Sequence, residues 1–441
     1  MKLKNTKYRN ISEIVKNNLC TGCAICYAAC PSNCIEFEWV NSSKIPKVDF
    51  DRCTNCGVCY RVCPGKIVEG QIDNAGKYER YLGEIDESFI VDGAKKFKNR
   101  YTASGGFVTS FLSYLLDHRK IDGVLLVSLE GSDLKNAKSL LIEDSLNLTK
   151  TTGSIYFRVP VGIGLKELLQ RKGEFAVVGL PCQIRGINNL IKQSEEYREK
   201  FFIKIGLFCG FMIGYNAAEY LLDSLKIPNQ GDIKKISFRA KEGDKEGFLV
   251  ETSEKNYFIS KNNYTSLLNR TFSYKRCLMC NDMTNEYADV SCGDAHRFGL
   301  KKSLIISRNK RTTNLIREAK NAGYLQIVKK MSKEEVFTSQ QPLLQYKKET
   351  IDARLKIMRL INRKLPEFKA NSLPKSNFFQ KVGSLLYILN CYLTGSKITR
   401  KMLFLMPSKL IKIYGSFVYD LLRGKMPSNY IYFLFNKNLL R

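Results

Sequence analysis

From residue 101 onward, apolar positions fall into alternating blocks of helical and strand-like spacing. Behind Ser104-Gly105-Gly106, residues 107–116 carry an apolar helical pattern, and 123–127 follow as a short strand. The spacing then predicts a helix over 166–171, a strand over 175–179, a helix over 184–191 and a strand over 202–208. Residues 237–239 and 248–252 read as strands, and 304–307, 314–320 and 325–328 as a strand–helix–strand unit. This alternation predicts an α/β domain over 101–335. Residues 1–70 are different: cysteine-dense, punctuated by Pro and Gly, with little helical periodicity. Residues 71–100, with Gly70 just before them and Asn74, Gly76, Gly83 and Gly93 among charges, read as a connecting segment. Residues 336–441 predict a basic amphipathic helical tail, in which apolar runs at 385–389 and 402–406 alternate with cations.

Composition narrows the class. A chain of 441 residues suits two or three domains, and 44% hydrophobic with 26% charged residues excludes global disorder and a multi-span membrane protein. No run reaches the roughly 18 consecutive apolar residues of a membrane-crossing helix. The formal charge of +29 favours anionic partners, and residues 371–441 hold eleven Lys or Arg against one acid, Asp420. An anionic membrane surface is one expected contact for that tail; packing of its helices on the core is the alternative. Residues 1–10 are polar and basic without an apolar signal core. A cytoplasmic setting, peripheral to the inner membrane face at most, is therefore the expectation.

Fifteen cysteines against two histidines change the picture more than the charge does. Cys20-x2-Cys23-x2-Cys26-x3-Cys30-Pro31 is followed by Cys53-x2-Cys56-x2-Cys59-x3-Cys63-Pro64. This is the bacterial two-cluster ferredoxin run, in which the fourth cysteine of each run ligates the other cluster. One 4Fe–4S cluster is thus assigned to Cys20, Cys23, Cys26 and Cys63, the second to Cys53, Cys56, Cys59 and Cys30. Gly22 and Gly57 keep the loops compact. A pair of structural zinc sites is the competing reading, and Cys34 falls outside the pattern as a small core residue. The predicted fold class is an α+β ferredoxin-like module, then an α/β domain, then a basic, mainly helical tail.

A dispersed set follows. Cys182 and Cys209 each sit where a predicted strand ends, the position at which open α/β sheets gather ligands. Cys277-x2-Cys280 adds a chelating pair, so these four suit a third 4Fe–4S cluster, a zinc site or unrelated buried thiols. Ser104-Gly105-Gly106 at a helix start can offer amides to a phosphate or form a tight turn. Asp294, after Gly293, suits a ribityl or ribose hydroxyl or a plain turn. His296 is the only histidine near this candidate site.

In order along residues 80–330, several stretches resemble the coenzyme F-420 hydrogenase/dehydrogenase beta-subunit family. They are Ser104-Gly105-Gly106-Phe107-Val108-Thr109, Gly153-Ser154-Ile155-Tyr156 and Gly179-Leu180-Pro181-Cys182-Gln183-Ile184. Gly206-Leu207-Phe208-Cys209-Gly210, Arg276-Cys277-Leu278-Met279-Cys280-Asn281-Asp282 and the run from Asn285 to Ala295 complete the set. The resemblance implies FAD beside a cysteine-ligated 4Fe–4S cluster. It makes Cys182, Cys209, Cys277 and Cys280 the ligands of the third cluster. Ser104, Gly105, Gly106, Thr109, Gln183 and Asp294 become the candidate flavin contacts. Ile155 and His296 depart from the family pattern at positions that bear on the substrate. Some bacterial members resemble proteins of surface-polysaccharide synthesis.

Two classes of function result. The leading one is an iron–sulfur flavoprotein oxidoreductase exchanging electrons with a redox partner protein or a small-molecule donor or acceptor. The other is a non-catalytic electron-transfer subunit that docks a partner enzyme through its ferredoxin module. Residues 101–330 contain no recognised nucleic-acid module.

Overall fold

The computed structural model describes residues 9–40, 43–69, 76–129, 131–261, 271–295, 301–369, 373–393 and 408–426. His296 and the run at 402–406 lie outside the described residues. The N-terminal module holds three short helices, Ile11–Lys16, Ile25–Ala28 and Val58–Arg61, and the antiparallel hairpin of β1 (Ile35–Val40) and β2 (Ser43–Val48). Asn10 caps the first helix, its side chain accepting from the Ser12 N–H at 3.0 Å. The module closes on β3 (Ile67–Glu69).

The large sheet uses β4 (Glu87–Gly93), β5 (Gly123–Leu129), β6 (Ala137–Ile142), β7 (Phe175–Gly179) and β8 (Phe201–Leu207). A separate three-stranded antiparallel sheet follows, formed by β9 (Ile233–Glu242), β10 (Lys245–Thr252) and β11 (Asn256–Ser260). β12 (Val290–Asp294), β13 (Ser303–Ser307) and β14 (Leu325–Lys330) complete the eight-stranded sheet, in the order β14-β4-β13-β12-β8-β7-β5-β6. Its centre, β5-β7-β8-β12, is parallel and its flanks are antiparallel. Every residue of β7 is buried, as a central strand covered on both faces requires.

One face packs against the helices Phe107–Asp117 and Lys310–Asn321 through Phe111, Leu115, Ile205, Ile305 and Ile316. The other packs against Gly162–Gln170 and Pro181–Ile191, and there Ile25 and Val62 of the N-terminal module enter the same core. Two glycines make that seam possible. A Cβ on Gly162 would stand 2.0 Å from the Ala24 carbonyl oxygen, and one on Gly186 would stand 2.8 Å from Ile25. The Gly162 N–H also donates to the Cys23 carbonyl at 2.9 Å.

One expectation on organisation is corrected. The segment 71–100 is no mere connection: it contains the helix Glu79–Leu82 and β4, which lies inside the large sheet between β13 and β14. The helices after 335 pack on the core, as the second of the two expectations for them had it. Helices Lys333–Glu349, Ile351–Leu360, Phe378–Leu393 and Ser408–Leu422 contribute Tyr346, Ile351, Tyr387, Ile388 and Val418 to a core shared with Ile11, Ile14 and Cys26. β15 (Glu367–Lys369) even pairs in parallel with β3. No helix among the described residues is long and apolar enough to cross a membrane.

Candidate functional site

The two N-terminal cysteine runs fold as equivalent loops. Each has two left-handed residues, Gly22 (φ 71°) and Ala24 (φ 61°) in the first, Asn55 (φ 53°) and Gly57 (φ 72°) in the second. The repeats thus place glycine at different members of the pair, and Ala24 and Asn55 adopt a conformation that L-residues disfavour. This curl brings three thiols of a run to one side. The Gly22 N–H donates to Cys20 Sγ at 3.3 Å, and the Gly65 N–H donates to Cys63 Sγ at 3.4 Å.

The electrostatics group the cysteines across the runs. Burial, and then the neighbouring Cys63, push the Cys23 thiol up to about 12. Cys63 is likewise raised to about 12 by burial and by Cys20. Cys59 is raised by burial, with Cys30, Cys56 and Cys53 as its crowding neighbours. Four thiols packed together resist ionisation even with Arg158 beside Cys20 and Arg276 beside Cys63; a cationic iron–sulfur core would supply the further positive charge, so this donor chemistry fits such a group. Among the described residues, no group of three or more His, Cys, Asp or Glu is placed to hold a metal ion. Cys56 is the one exposed cysteine of the second group. Cys34 is the core residue expected, packed with Ile35 and with its Sγ 3.4 Å from that of Cys30.

Cys182, Cys209, Cys277 and Cys280 also converge. Cys182 opens the helix after β7, Cys209 follows β8, and the pair lies in and just after the 3-10 turn Lys275–Met279. Cys182 is raised by burial and then by Cys23, Cys277 and Cys280. Cys23 therefore neighbours both this set and the first N-terminal group. Burial also pushes Cys280 up, but Lys347 and Arg276 outweigh it and leave the thiol below its ordinary value. Arg276 ties the pair to the N-terminal module, donating to the carbonyls of Gly65 at 3.0 Å and Ile67 at 3.2 Å.

Beside this set opens a cavity of about 720 Å³, within the range of small-molecule sites. Cys209 lines it, as do Ser104, Gly106, Thr109, Gln183 and Asp294. Gly105 does not. A Cβ there would meet Ser303 N at 2.5 Å and the Val91 oxygen at 2.7 Å, so its role is close packing of the loop on the sheet. Gln183 lines the wall with its amide already engaged: its Oε1 accepts from the Leu180 N–H at 2.8 Å and its Nε2 donates to the Val159 carbonyl at 3.1 Å. Asp294 is held by Arg239 at 2.9 Å and Lys261 at 3.3 Å.

Sequence reading missed those two cations. Arg239 lies within a predicted strand, but β9 also carries Lys234, Lys235 and Lys241, so its sequence does not single Arg239 out. It also pairs with Glu246 at 2.7 Å, and Arg239 and Lys261 overcome burial to hold that carboxyl below its ordinary value. The cavity thus joins apolar walls and the Ser104–Thr109 loop to a charge-balanced network in which Arg239 and Lys261 each meet Asp294 and Glu246, a lining that suits a ring-bearing cofactor with polar groups. Cys292 lines the cavity too, whereas Cys391 is buried in the tail core.

Residues 90–166 match the N-terminal part of the coenzyme F420 hydrogenase/dehydrogenase beta subunit, and residues 173–333 match its C-terminal part. Residues 19–67 match a 4Fe-4S dicluster domain, which supports 4Fe–4S clusters in this chain. The chain is 28% identical over 302 residues to a coenzyme F420-dependent sulfite reductase of Methanocaldococcus jannaschii, covering 64% of this chain and 43% of that protein. It is 29% identical over 234 residues to the beta subunit of an F420-dependent formate dehydrogenase from the same organism, covering 52% and 58%. A subunit of the F(420)H(2) dehydrogenase of Methanosarcina mazei is 26% identical over 288 residues, covering 64% and 77%. The match therefore spans about half the length of the first two relatives. A chain of the F420-reducing [NiFe] hydrogenase complex from Methanosarcina barkeri shares the fold with a TM-score of 0.50 at 20% identity, over 65% of this chain and 97% of that one. With the two beta-subunit matches together spanning more than half of its length, the chain belongs to the coenzyme F420 hydrogenase/dehydrogenase beta-subunit family.

Proposed function

We propose that this protein is an iron–sulfur flavoprotein oxidoreductase with three 4Fe–4S clusters and an FAD in the cavity. Residues 1–70 serve as the two-cluster module, 101–335 as the flavin and iron–sulfur domain, and 336–441 as the basic helical region. The observation that carries this reading is contiguity. Cys209 lines the cavity and belongs to the third cysteine set, and Cys182 of that set neighbours Cys23 of the first N-terminal group. Bound in place, the flavin supplies the conversion between a hydride pair and single electrons, which the clusters carry one at a time.

The chain's own residues do the rest. The Ser104–Thr109 loop and Gly106 admit the cofactor backbone closely, and Arg239 with Lys261 fixes Asp294 at the cavity wall. The relatives' names make reduced coenzyme F420 the first hydride donor to test. The link to surface-polysaccharide synthesis rests on resemblance alone and enters no step. Contact of the tail with an anionic membrane finds its support in exposed Phe378, Leu385, Leu389 and Leu393 on one helix; pelleting with acidic vesicles tests it.

Several relatives are subunits by name, which favours a second reading: an electron-transfer subunit docked on a redox partner protein. Analysis of anaerobically purified protein separates the two. About twelve iron, matching sulfide and one flavin per chain are expected. Clusters without flavin favour the subunit reading, and stoichiometric zinc without sulfide overturns both.

A further inference from the structure

Lys347 lies in the last turn of the helix Lys333–Glu349, beyond the stretch matched by the family, and is only 1% exposed. Its neighbour Lys348, also buried, is neutralised by Glu286 at 2.5 Å. No carboxylate pairs with Lys347 among the described residues. A buried ammonium without a counter-charge is costly enough that proteins rarely keep one. What faces it instead is chiefly sulfur: Cys280 and Cys209 are its leading electrostatic partners, followed by the phenol of Tyr346 and then Cys277.

The placement is built rather than incidental. Arg354, wholly buried in the next helix, donates to the Leu278 carbonyl at 2.6 Å and the Cys280 carbonyl at 3.2 Å. The same guanidinium donates to the carbonyls of Tyr346 at 3.1 Å and Lys347 at 2.9 Å. One side chain therefore clamps the helix end that carries Lys347 onto the loop that carries Cys277 and Cys280. Arg276 also faces Cys280, and it reaches Cys63 of the first N-terminal group as well, where Arg158 faces Cys20.

We infer that Lys347 is a positioning residue that sets the reduction potential of the third cysteine-ligated cluster, by fixing one positive charge against its ligands. This rests on the proposal that Cys182, Cys209, Cys277 and Cys280 hold a cluster. A fixed cation favours whichever state carries more negative charge, which is the reduced one. Lys347 thus holds that potential above the value the ligands alone would give.

The test is a potentiometric titration followed by EPR on the full chain, prepared anaerobically, for wild type, Lys347→Gln and Lys347→Arg. Lys347→Gln should move one of three signals to lower potential and leave the other two in place. Lys347→Arg, which keeps the charge, should retain the wild-type value. A Lys347→Gln protein with about twelve iron and three unmoved potentials overturns the inference while leaving the third cluster standing. If Lys347→Gln fails to load iron, the arginine variant decides: wild-type loading and potential support the inference, and equal loss of iron overturns it. Wild-type protein with only about eight iron removes the third cluster, and the inference with it.

Discussion

At Cys63 the consequences of a single atom can be followed across the molecule. It belongs by sequence to the second run, yet it raises Cys23 and is itself raised by burial and by Cys20. Cys63→Ser is therefore expected to strip iron from the group of Cys20, Cys23 and Cys26, while Cys30→Ser affects the group of Cys53, Cys56 and Cys59. EPR of the reduced variants reads this directly, and losses confined to each residue's own run would refute the crossing. Arg239 is a second such residue. Because Glu246 is held below its ordinary value, its contribution to stability is present above the unfolded carboxyl pKa of about 4.3. It is lost as pH falls through the lower folded value. Arg239→Leu should cost about 3 kcal/mol at pH 7 and flatten that acid limb, as urea unfolding at a series of pH values would show. An acid limb as steep as in wild type would mean that the pair contributes nothing.

The elements differ in how far local pattern reveals them. The strands β5, β7 and β8 are buried parallel strands next to amphipathic helices, and their boundaries agree with the predicted ones to within two residues. β4 was hidden because its apolar run is short and its partners, β13 and β14, lie some two hundred residues away. No periodicity within 71–100 encodes that pairing. Arg354 and Lys347 were hidden for the opposite reason. Charged residues on a helix read as a solvated face, and only tertiary packing turns them inward. The cysteine runs were legible because their spacing is itself the chemistry, whereas Gly105 was misassigned because a packing glycine and a phosphate-loop glycine look alike in sequence.

The seam between helix Gly162–Gln170 and the N-terminal module offers an element-scale test. Gly162→Ala would drive a methyl into the Ala24 carbonyl, so the seam must open. A loss of about 1–3 kcal/mol in chemical denaturation is expected, and slower electron exchange between the third site and the first N-terminal group should accompany it. A stable variant with unchanged transfer would show that the seam does not set the separation.

For the whole molecule, the C-terminal region closes what the N-terminus begins. Tail residues complete the core around Ile11, Ile14 and Cys26, so cutting the chain before residue 371 would remove Tyr387, Ile388 and Val418 from it and expose the module that holds the first cysteines. A small part of the high positive charge has an internal use as well: Arg276, Arg354 and Lys347 are buried at the third site. The exposure of Cys56 sets an order of failure. Of the eight N-terminal thiols it is the one exposed to dioxygen, whereas Cys23, Cys26, Cys30, Cys59 and Cys63 are buried. Air should accordingly oxidise the group of Cys53, Cys56, Cys59 and Cys30 before the group of Cys20, Cys23, Cys26 and Cys63, as loss of iron followed over time would show.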